Sequence, residues 1–462
     1  MKYSMRKIPI RITFCGGIHT TTGSNFLVDA PDKAILVDCG FFQGENIGEH
    51  RNRDAFSYDP TEVSVLFVTH AHLDHVGRIP MLVRSGFSGS IYSTKATKEI
   101  AELILIDSLR VLTKEAEQSG EDPMYTQDDV KKAMRIWKTV DYNETVSVGE
   151  YLSVSFRDAG HILGSAMVVI ECNGKKLLFT GDLGNSPAPL LRDTEYVDDI
   201  ACIVTESVYG DRNHEDRNER RELLKSAIID TIGRGGVLMI PAFSIERTQE
   251  LLFEINHLAE NKLIPEVPVF LDSPLAIKVT DIYKRHEYLY NKRATDIIHG
   301  GDDIFAFPFL RFTMTRSESI AINNIDGPKI ILAGSGMSNG GRILHHEKRY
   351  LSDRKNTLLI VGFQAAGTLG RRIQDGAKKV EINGDIVPIR AEIRNIRGYS
   401  AHKDSDGILD FIEKATEKGE LKKVFVVLGE PKSSLFLAQK IRDYLDIDAS
   451  TPLEGECVEL LF

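Results

Sequence analysis

Short apolar runs broken by turns fill the first part of the chain. Residues 8–14 (Pro-Ile-Arg-Ile-Thr-Phe-Cys), 34–38 (Ala-Ile-Leu-Val-Asp) and 63–69 (Val-Ser-Val-Leu-Phe-Val-Thr) are rich in β-branched and aromatic residues and predict strands. A long amphipathic stretch follows at about 94–118, where Ile100, Leu103, Ile104, Ser108 and Val111 recur at helical spacing. Strand-like runs return at 166–171, 176–180 and 200–205. From about residue 210 the pattern changes. Apolar runs at 237–240, 267–271, 329–332 and 357–361 alternate with helical segments, which predicts a parallel α/β unit. After about 375 come further short strands, a helix at 404–416, a strand at 423–428 and a helix at 431–444. No internal repeat or low-complexity tract interrupts this order. Three segments result: 1–207, 208–375 and 376–462.

Composition narrows the class. The chain has 462 residues, 42% of them hydrophobic and 27% charged, which is ordinary for folded proteins and excludes wholesale disorder. No run of eighteen apolar residues occurs and no signal-peptide core follows Met1, so the expectation is a soluble cytoplasmic protein. Cys15, Cys39, Cys172, Cys202 and Cys457 lie far apart, which argues against a disulfide framework and against a cysteine zinc site. The formal net charge is −10, so nucleic-acid binding would need a local basic surface rather than a basic protein. The acidic run 211–222 reads as a solvated helix start.

Histidine placement changes the picture. Val68-Thr-His70-Ala-His72-Leu-Asp74-His75 closes an apolar strand. Residues two apart on extended backbone point the same way, so His70 and His72 can share one cation. Asp74 and His75, on the following turn, can face a second. Imidazole and carboxylate suit zinc and leave it Lewis-acidic enough for hydrolysis. Two lone residues complete the set: His161 in Gly160-His161-Ile-Leu-Gly164, and Asp182 in Thr180-Gly-Asp182-Leu-Gly184. The arrangement predicts His70, His72 and His161 on one metal, Asp74 and His75 on the other, and Asp182 bridging. A hydroxide between two such metals is a nucleophile at neutral pH suited to attack on phosphorus.

These motifs in this order resemble the metallo-β-lactamase superfamily, with Asp38 in Leu-Val-Asp38-Cys-Gly as a further element. Thr205-Glu206-Ser-Val-Tyr-Gly210, the segments 241–247, 334–337 and 362–370, and Tyr399-Ser-Ala-His402 narrow the resemblance to the β-CASP ribonuclease branch, which includes the pre-mRNA 3′-end cleavage endonuclease and its bacterial and archaeal relatives. The resemblance implies an α/β fold: an αββα metallo-β-lactamase sandwich split in sequence (1–207 and 376–462) around an inserted parallel α/β β-CASP domain (208–375). It also implies a zinc-dependent ribonuclease that hydrolyses phosphodiester bonds of single-stranded RNA by a metal-bound hydroxide, endonucleolytically. Manganese is an alternative ion, and a homodimer an option for assembly.

Carried over residue by residue, Glu206 matches the branch's first acidic motif and His402 its second. The resemblance gives His402 the leaving oxygen's proton, or the scissile phosphate, with Glu206 orienting it. Asp74, Glu206 and His402 are thus the expected catalytic residues. Ser335, Gly336 and Met337 offer a backbone-rich loop for the RNA path, and Arg247, Arg371 and Arg372 are candidates for its phosphates. The adjacent His345 and His346 diverge around a helix and read as structural or substrate-proximal. His19 stands where relatives often carry an acid, and receives no role. One departure matters more. Where RNA-acting members have a ligand histidine, this chain has Leu428 in Val427-Leu428-Gly429-Glu430. The second of two expected zinc sites is therefore weakened. A non-catalytic or weakly active RNA-binding homologue and a DNA-acting nuclease are the alternatives this opens.

Overall fold

The computed structural model describes residues 7–44, 48–214, 219–365, 367–416 and 421–462; positions 215–218 of the acidic run, and Ala366 in the 362–370 segment, lie outside them. The chain divides into two compact units, Met1–Asn213 with His402–Phe462, and His214–Ala401. In chain order the first unit supplies β1 (Pro9–Gly16), β2 (Asn25–Asp29), β3 (Ala34–Val37), β4 (Val63–Phe67), β5 (Ser90–Ser93) and β6 (Trp137–Thr139). Then come β7 (Thr145–Val148), β8 (Leu152–Asp158), β9 (Ala166–Cys172), β10 (Lys175–Phe179) and β11 (Ile200–Thr205). The second unit holds β12 (Val237–Pro241), β13 (Val269–Asp272), β14 (Leu310–Phe312), β15 (Lys329–Ala333), β16 (Thr357–Val361), the hairpin β17 (Lys379–Ile382) and β18 (Asp385–Pro388), and β19 (Glu392–Ile396). The chain returns to the first unit for β20 (Lys423–Val426), β21 (Asp448–Ser450) and β22 (Cys457–Leu461).

The first unit stacks two seven-stranded sheets, ordered β22-β1-β2-β3-β4-β5-β6 and β21-β20-β11-β10-β9-β8-β7. Strand alternation divides its apolar residues between two layers. On β8 and β9, Val154, Phe156, Val168 and Ile170 face inward and meet Ile12, Phe14, Val28 and Phe67 of the other sheet. Met167 and Val169 point outward and pack under Ile408, Phe411, Leu437 and Ile441, from helices Ser405–Thr416 and Pro431–Leu445. Covering one sheet on its outer face and pairing it with the other on its inner face is what makes a helix-flanked sandwich. The helix expected at 94–118 is observed at Lys95–Ser119, with the Thr94 hydroxyl accepting from Thr97 N as its cap. Ile100 and Leu105 form its buried stripe, whereas Val111 is exposed.

The second unit is a six-stranded, wholly parallel sheet, β14-β13-β15-β12-β16-β19. Its central strands are buried at every position, as parallel sheets with two covered faces require. The sequence reading returned the chain to its first domain at 376; the compact unit instead continues to Ala401. The reason is β19, which pairs in parallel with β16 from Thr357↔Glu392 to Val361↔Ile396. As a partly exposed edge strand reading Glu-Ile-Arg-Asn-Ile, it lacks the apolar run that marked its neighbours.

Asp272, at the end of β13, is fully buried and accepts from Arg342 Nη1 (2.7 Å), Thr313 Oγ1 (2.6 Å) and Ser319 Oγ (2.6 Å), while His346 Nε2 lies 2.7 Å away. Burial works against its ionisation, but the hydrogen bonds from His346, Ser319, Thr313 and Arg342 outweigh it and hold its carboxyl well below the usual range. A depressed folded pKa stabilises the protein above the unfolded value and withdraws that stability as pH falls through the folded one. Asp272→Asn should therefore cost about 3–5 kcal/mol at pH 7, and progressively less as the pH is lowered below about 4. Urea unfolding of both proteins across that range checks it.

Candidate metal and acid–base centre

Apolar β4 carries the chain through the sandwich and releases it as Thr69-His70-Ala-His72, before the short helix Leu73–Val76. Asp38, which follows β3 and is 1% exposed, ties this loop down. Thr69 N donates to Asp38 Oδ1 (2.8 Å), Ser24 Oγ to Oδ2 (3.0 Å), and His75 Nδ1 to Oδ2 (2.7 Å). The Thr69 hydroxyl also lies 3.1 Å from His70 Nδ1. Each histidine thus has one ring nitrogen fixed and the other turned the opposite way, an arrangement that orients imidazole as a ligand.

What the free edges converge on is one donor cluster: His70, His72, His161 and Asp182. His70 Nε2 and His161 Nε2 lie 3.1 and 3.3 Å from His72 Nδ1, and both lie 3.4 Å from Asp182 Oδ2. A tetrahedral ion with bonds of about 2.0–2.1 Å has donor–donor edges of about 3.3 Å, so the residues fit such an ion. Burial, and then the positive charge of His75, drive His72 down to about 3. His70 is lowered well below its ordinary value by burial and by the neighbouring histidines. Both are therefore neutral imidazoles, the form a metal binds. Burial raises Asp182 to about 7, against the pull of His75 and His402; a divalent cation among these donors would return it to carboxylate.

Asp182 reaches the other way too. Its Oδ1 lies 3.6 Å from His75 Nε2, a fully buried nitrogen without a hydrogen-bond partner. Burial opposes protonation of His75, but Asp182 and then Asp38 overcome it and raise the ring to about 10. This face is where a second ion was expected, and it is less complete. Asp74, whose carboxyl is raised by burial, joins no cluster of three donors among the described residues, and neither does His75. Leu428 is 1% exposed and packs with Phe425 and Val427 in the sandwich core. Its N–H donates to Gly17 O (2.7 Å) at φ +49°, a left-handed conformation that costs a branched residue about 1–2 kcal/mol. The leucine fits because position 17 is glycine: a Cβ there would stand 2.7 Å from Leu428 Cδ2.

His402 stands beside the cluster. Its backbone bridges to Gly184, and Lys403 holds the same segment through its N–H to Leu183 O (2.8 Å) and its Nζ to Gly184 O (2.7 Å). His402 Nδ1 lies 3.0 Å from Glu206 Oε2 and 3.8 Å from Asp182 Oδ2, with its ring 4.6 Å from that of His161. Glu206, at the end of β11, is fully buried, and its Oε1 accepts from Leu183 N (2.6 Å). Burial disfavours charge on His402, yet Glu206 and then Asp182 raise it to about 9. Asp182, Glu206 and His402 also form a second three-donor group.

The candidate substrate residues all lie in the second unit. Ser335, Gly336 and Met337 belong to the loop that leaves β15. Arg247 is buried, ion-paired with Glu250 and stacked on Tyr399, so its guanidinium is already committed; Arg371 pairs with Asp375, while Arg372 is exposed. His346 is bound to Asp272 and His345 is exposed. His19 is exposed at φ +56°. Sequence reasoning gave Asp38 no role and passed over Thr69 and Lys403. Asp38 stood in a recognisable Leu-Val-Asp-Cys-Gly segment, but a lone threonine or lysine carries no signature.

Three family models match: the metallo-beta-lactamase superfamily over residues 20–229, the Beta-Casp domain over 248–373, and the Zn-dependent metallo-hydrolase RNA specificity domain over 386–452. Ribonuclease TTHA0252 of Thermus thermophilus is 36% identical over 93% of this chain and 95% of its own length. The chain belongs to the β-CASP ribonuclease family of the metallo-β-lactamase superfamily. Transcription termination factor FttA of Methanosarcina mazei, 31% identical, covers 98% of the chain, which spans 72% of that longer protein. A crystal structure of a protein of unknown function from Enterococcus faecalis V583 shares the fold at a TM-score of 0.56 and 14% identity, over 98% of this chain and all of that one. In a metallo-hydrolase of this family, loosening the histidine that Asp38 orients should weaken metal binding. That histidine is His75, so Asp38→Asn is expected to lower the affinity for the second, weaker-bound zinc about 10- to 100-fold, read by competition with a chromophoric chelator.

Proposed function

We propose that the protein is a metal-dependent ribonuclease that hydrolyses phosphodiester bonds of single-stranded RNA, endonucleolytically, with zinc as the ion. The observation that carries this reading is the His402–Glu206 pair, 3.0 Å apart and set against Asp182 at the edge of the donor cluster. His70, His72, His161 and Asp182 would hold the ion, and His75 with Asp182 the weaker second position. An ion held there supplies Lewis acidity, lowering the pKa of water toward neutrality and polarising a phosphoryl oxygen. The protein's own groups do the rest. Glu206 accepts from His402 Nδ1, which fixes the ring so that Nε2 is the proton-donating atom. The raised pKa keeps that proton in place at neutral pH, ready for the departing ribose 3′-oxygen. The RNA specificity domain model and the ribonuclease relative support RNA as the substrate. No described helix is long and apolar enough to cross a membrane. The proposal includes a cytoplasmic RNA-processing role and a homodimer.

The second reading, an RNA-binding homologue that does not cut, rests on Leu428. Incubation of a structureless RNA and the matching DNA with the zinc- and manganese-loaded protein separates them. Internal cleavage of RNA alone supports the proposal; binding without cleavage supports the second reading. His402→Ala should lower kcat about 100- to 10,000-fold and leave metal content unchanged. Because the working form of His402 is protonated, the rate should fall as pH rises through its pKa. Glu206→Gln removes the carboxylate that raises this pKa, so the alkaline limb of the pH–rate profile should move down by roughly one unit or more. An unmoved limb would remove Glu206 from this role.

A further inference from the structure

In the second unit, the chain leaves the end of β12 toward β13 on one side, and the end of the adjacent β15 toward β16 on the other. Each connection passes the other's strand, and running in opposite directions along a parallel sheet the two leave on opposite faces. Such a pair makes a topological switch point, outside whose strand ends ligands bind in open parallel sheets. Two loops border this point: residues 242–246 after β12, and 334–341 after β15. The first carries Phe243, 39% exposed although its strand is wholly buried. The second comes up against it. A Cβ on Gly336 would stand 2.6–2.8 Å from Cδ2, Cε2 and Cγ of the Phe243 ring, so only glycine lets the loop backbone meet the aromatic side chain this closely. The loop is braced from below: Gln364 Nε2 donates to Gly336 O (2.9 Å), Gly370 N to Met337 O (3.1 Å) and Ile343 N to Gly334 O (3.0 Å). Hydroxyls stand at the start of the same loop, with Ser244 and Ser273 Oγ 3.4 Å apart and each within 4 Å of where a Cβ on Gly334 would be.

An aromatic ring held against backbone yet 39% exposed, on a loop that begins beside two hydroxyls at a switch point, has the makings of a base-stacking platform. We propose that Phe243, seated on Gly336, stacks one nucleobase of a single-stranded RNA, with Ser244, Ser273 and Ser335 bordering its sugar–phosphate. The subsite rests on the nuclease reading above and adds to it a fixed position along the strand where a base, of any identity, is required. Base–aromatic stacking tolerates every base because each has a π-face.

The test uses the full chain, zinc-loaded, and a short structureless RNA in which an abasic nucleotide replaces each position in turn. For the wild type, one position should raise KM roughly tenfold when abasic, with kcat little changed. Phe243→Leu, which keeps an apolar side chain of similar bulk, should raise KM on intact RNA to the same extent and abolish sensitivity at that position. Phe243→Tyr should behave as the wild type. Gly336→Ala, which forces the ring away, should resemble Phe243→Leu. If Phe243→Leu keeps the wild-type KM and abasic profile while RNA is still cut, the subsite is wrong and the nuclease reading survives. If the wild type neither cuts nor binds RNA, both fall together.

Discussion

Four ligand atoms enclosed within 4.8 Å of one another are a costly thing to build. Three are imidazole nitrogens, of which those of His70 and His72 have their protonation suppressed, and the fourth belongs to a carboxyl driven upward by burial. Nothing in the local backbone requires them to meet. A cation between them converts mutual repulsion and desolvation into coordination, and the surrounding structure follows from keeping the donors in register for it. Asp38 anchors Thr69 and His75, Thr69 anchors His70, and Lys403 with the Gly184 bridge brings His402 alongside. Strand ends supply the rigidity: the segments bearing His70, His161, Asp182 and Glu206 leave β4, β8, β10 and β11.

Much of this centre was legible in the sequence because it is local. His70 and His72 lie two apart at a strand end, and a His-x-His-x-Asp-His run states its own chemistry. Glu206 and His402 were legible only through the resemblance, since 196 positions separate them and each alone reads as an ordinary polar residue. Asp74 shows the limit of spacing arguments. It sits on the turn as expected, yet no third donor joins it and His75 among the described residues. Arg247 shows another limit, because only packing reveals that Glu250 and Tyr399 already occupy its guanidinium. The fold followed hydrophobic periodicity well where strands are buried, as in β12, β15 and β16, and poorly at the β19 edge, where charge replaces the apolar run.

Leu428 gives this family member its particular character. It occupies a left-handed position, gives its side chain to the core beside Gly17, and contributes no donor to the His75 side of Asp182. The asymmetry that results is chemical rather than architectural. One ion position has four protein donors, and the other has His75 Nε2 and Asp182 Oδ1. A water in place of a side-chain ligand leaves such a position weaker and more readily exchanged.

That asymmetry is the central claim, and counting metal tests it most directly. Protein purified without chelator, loaded with zinc and dialysed against metal-free buffer should retain about one ion per chain by elemental analysis. Titration with further zinc should reveal a second, markedly weaker site. Two ions retained with equal tenacity would contradict the account, and so would a chain that retains none.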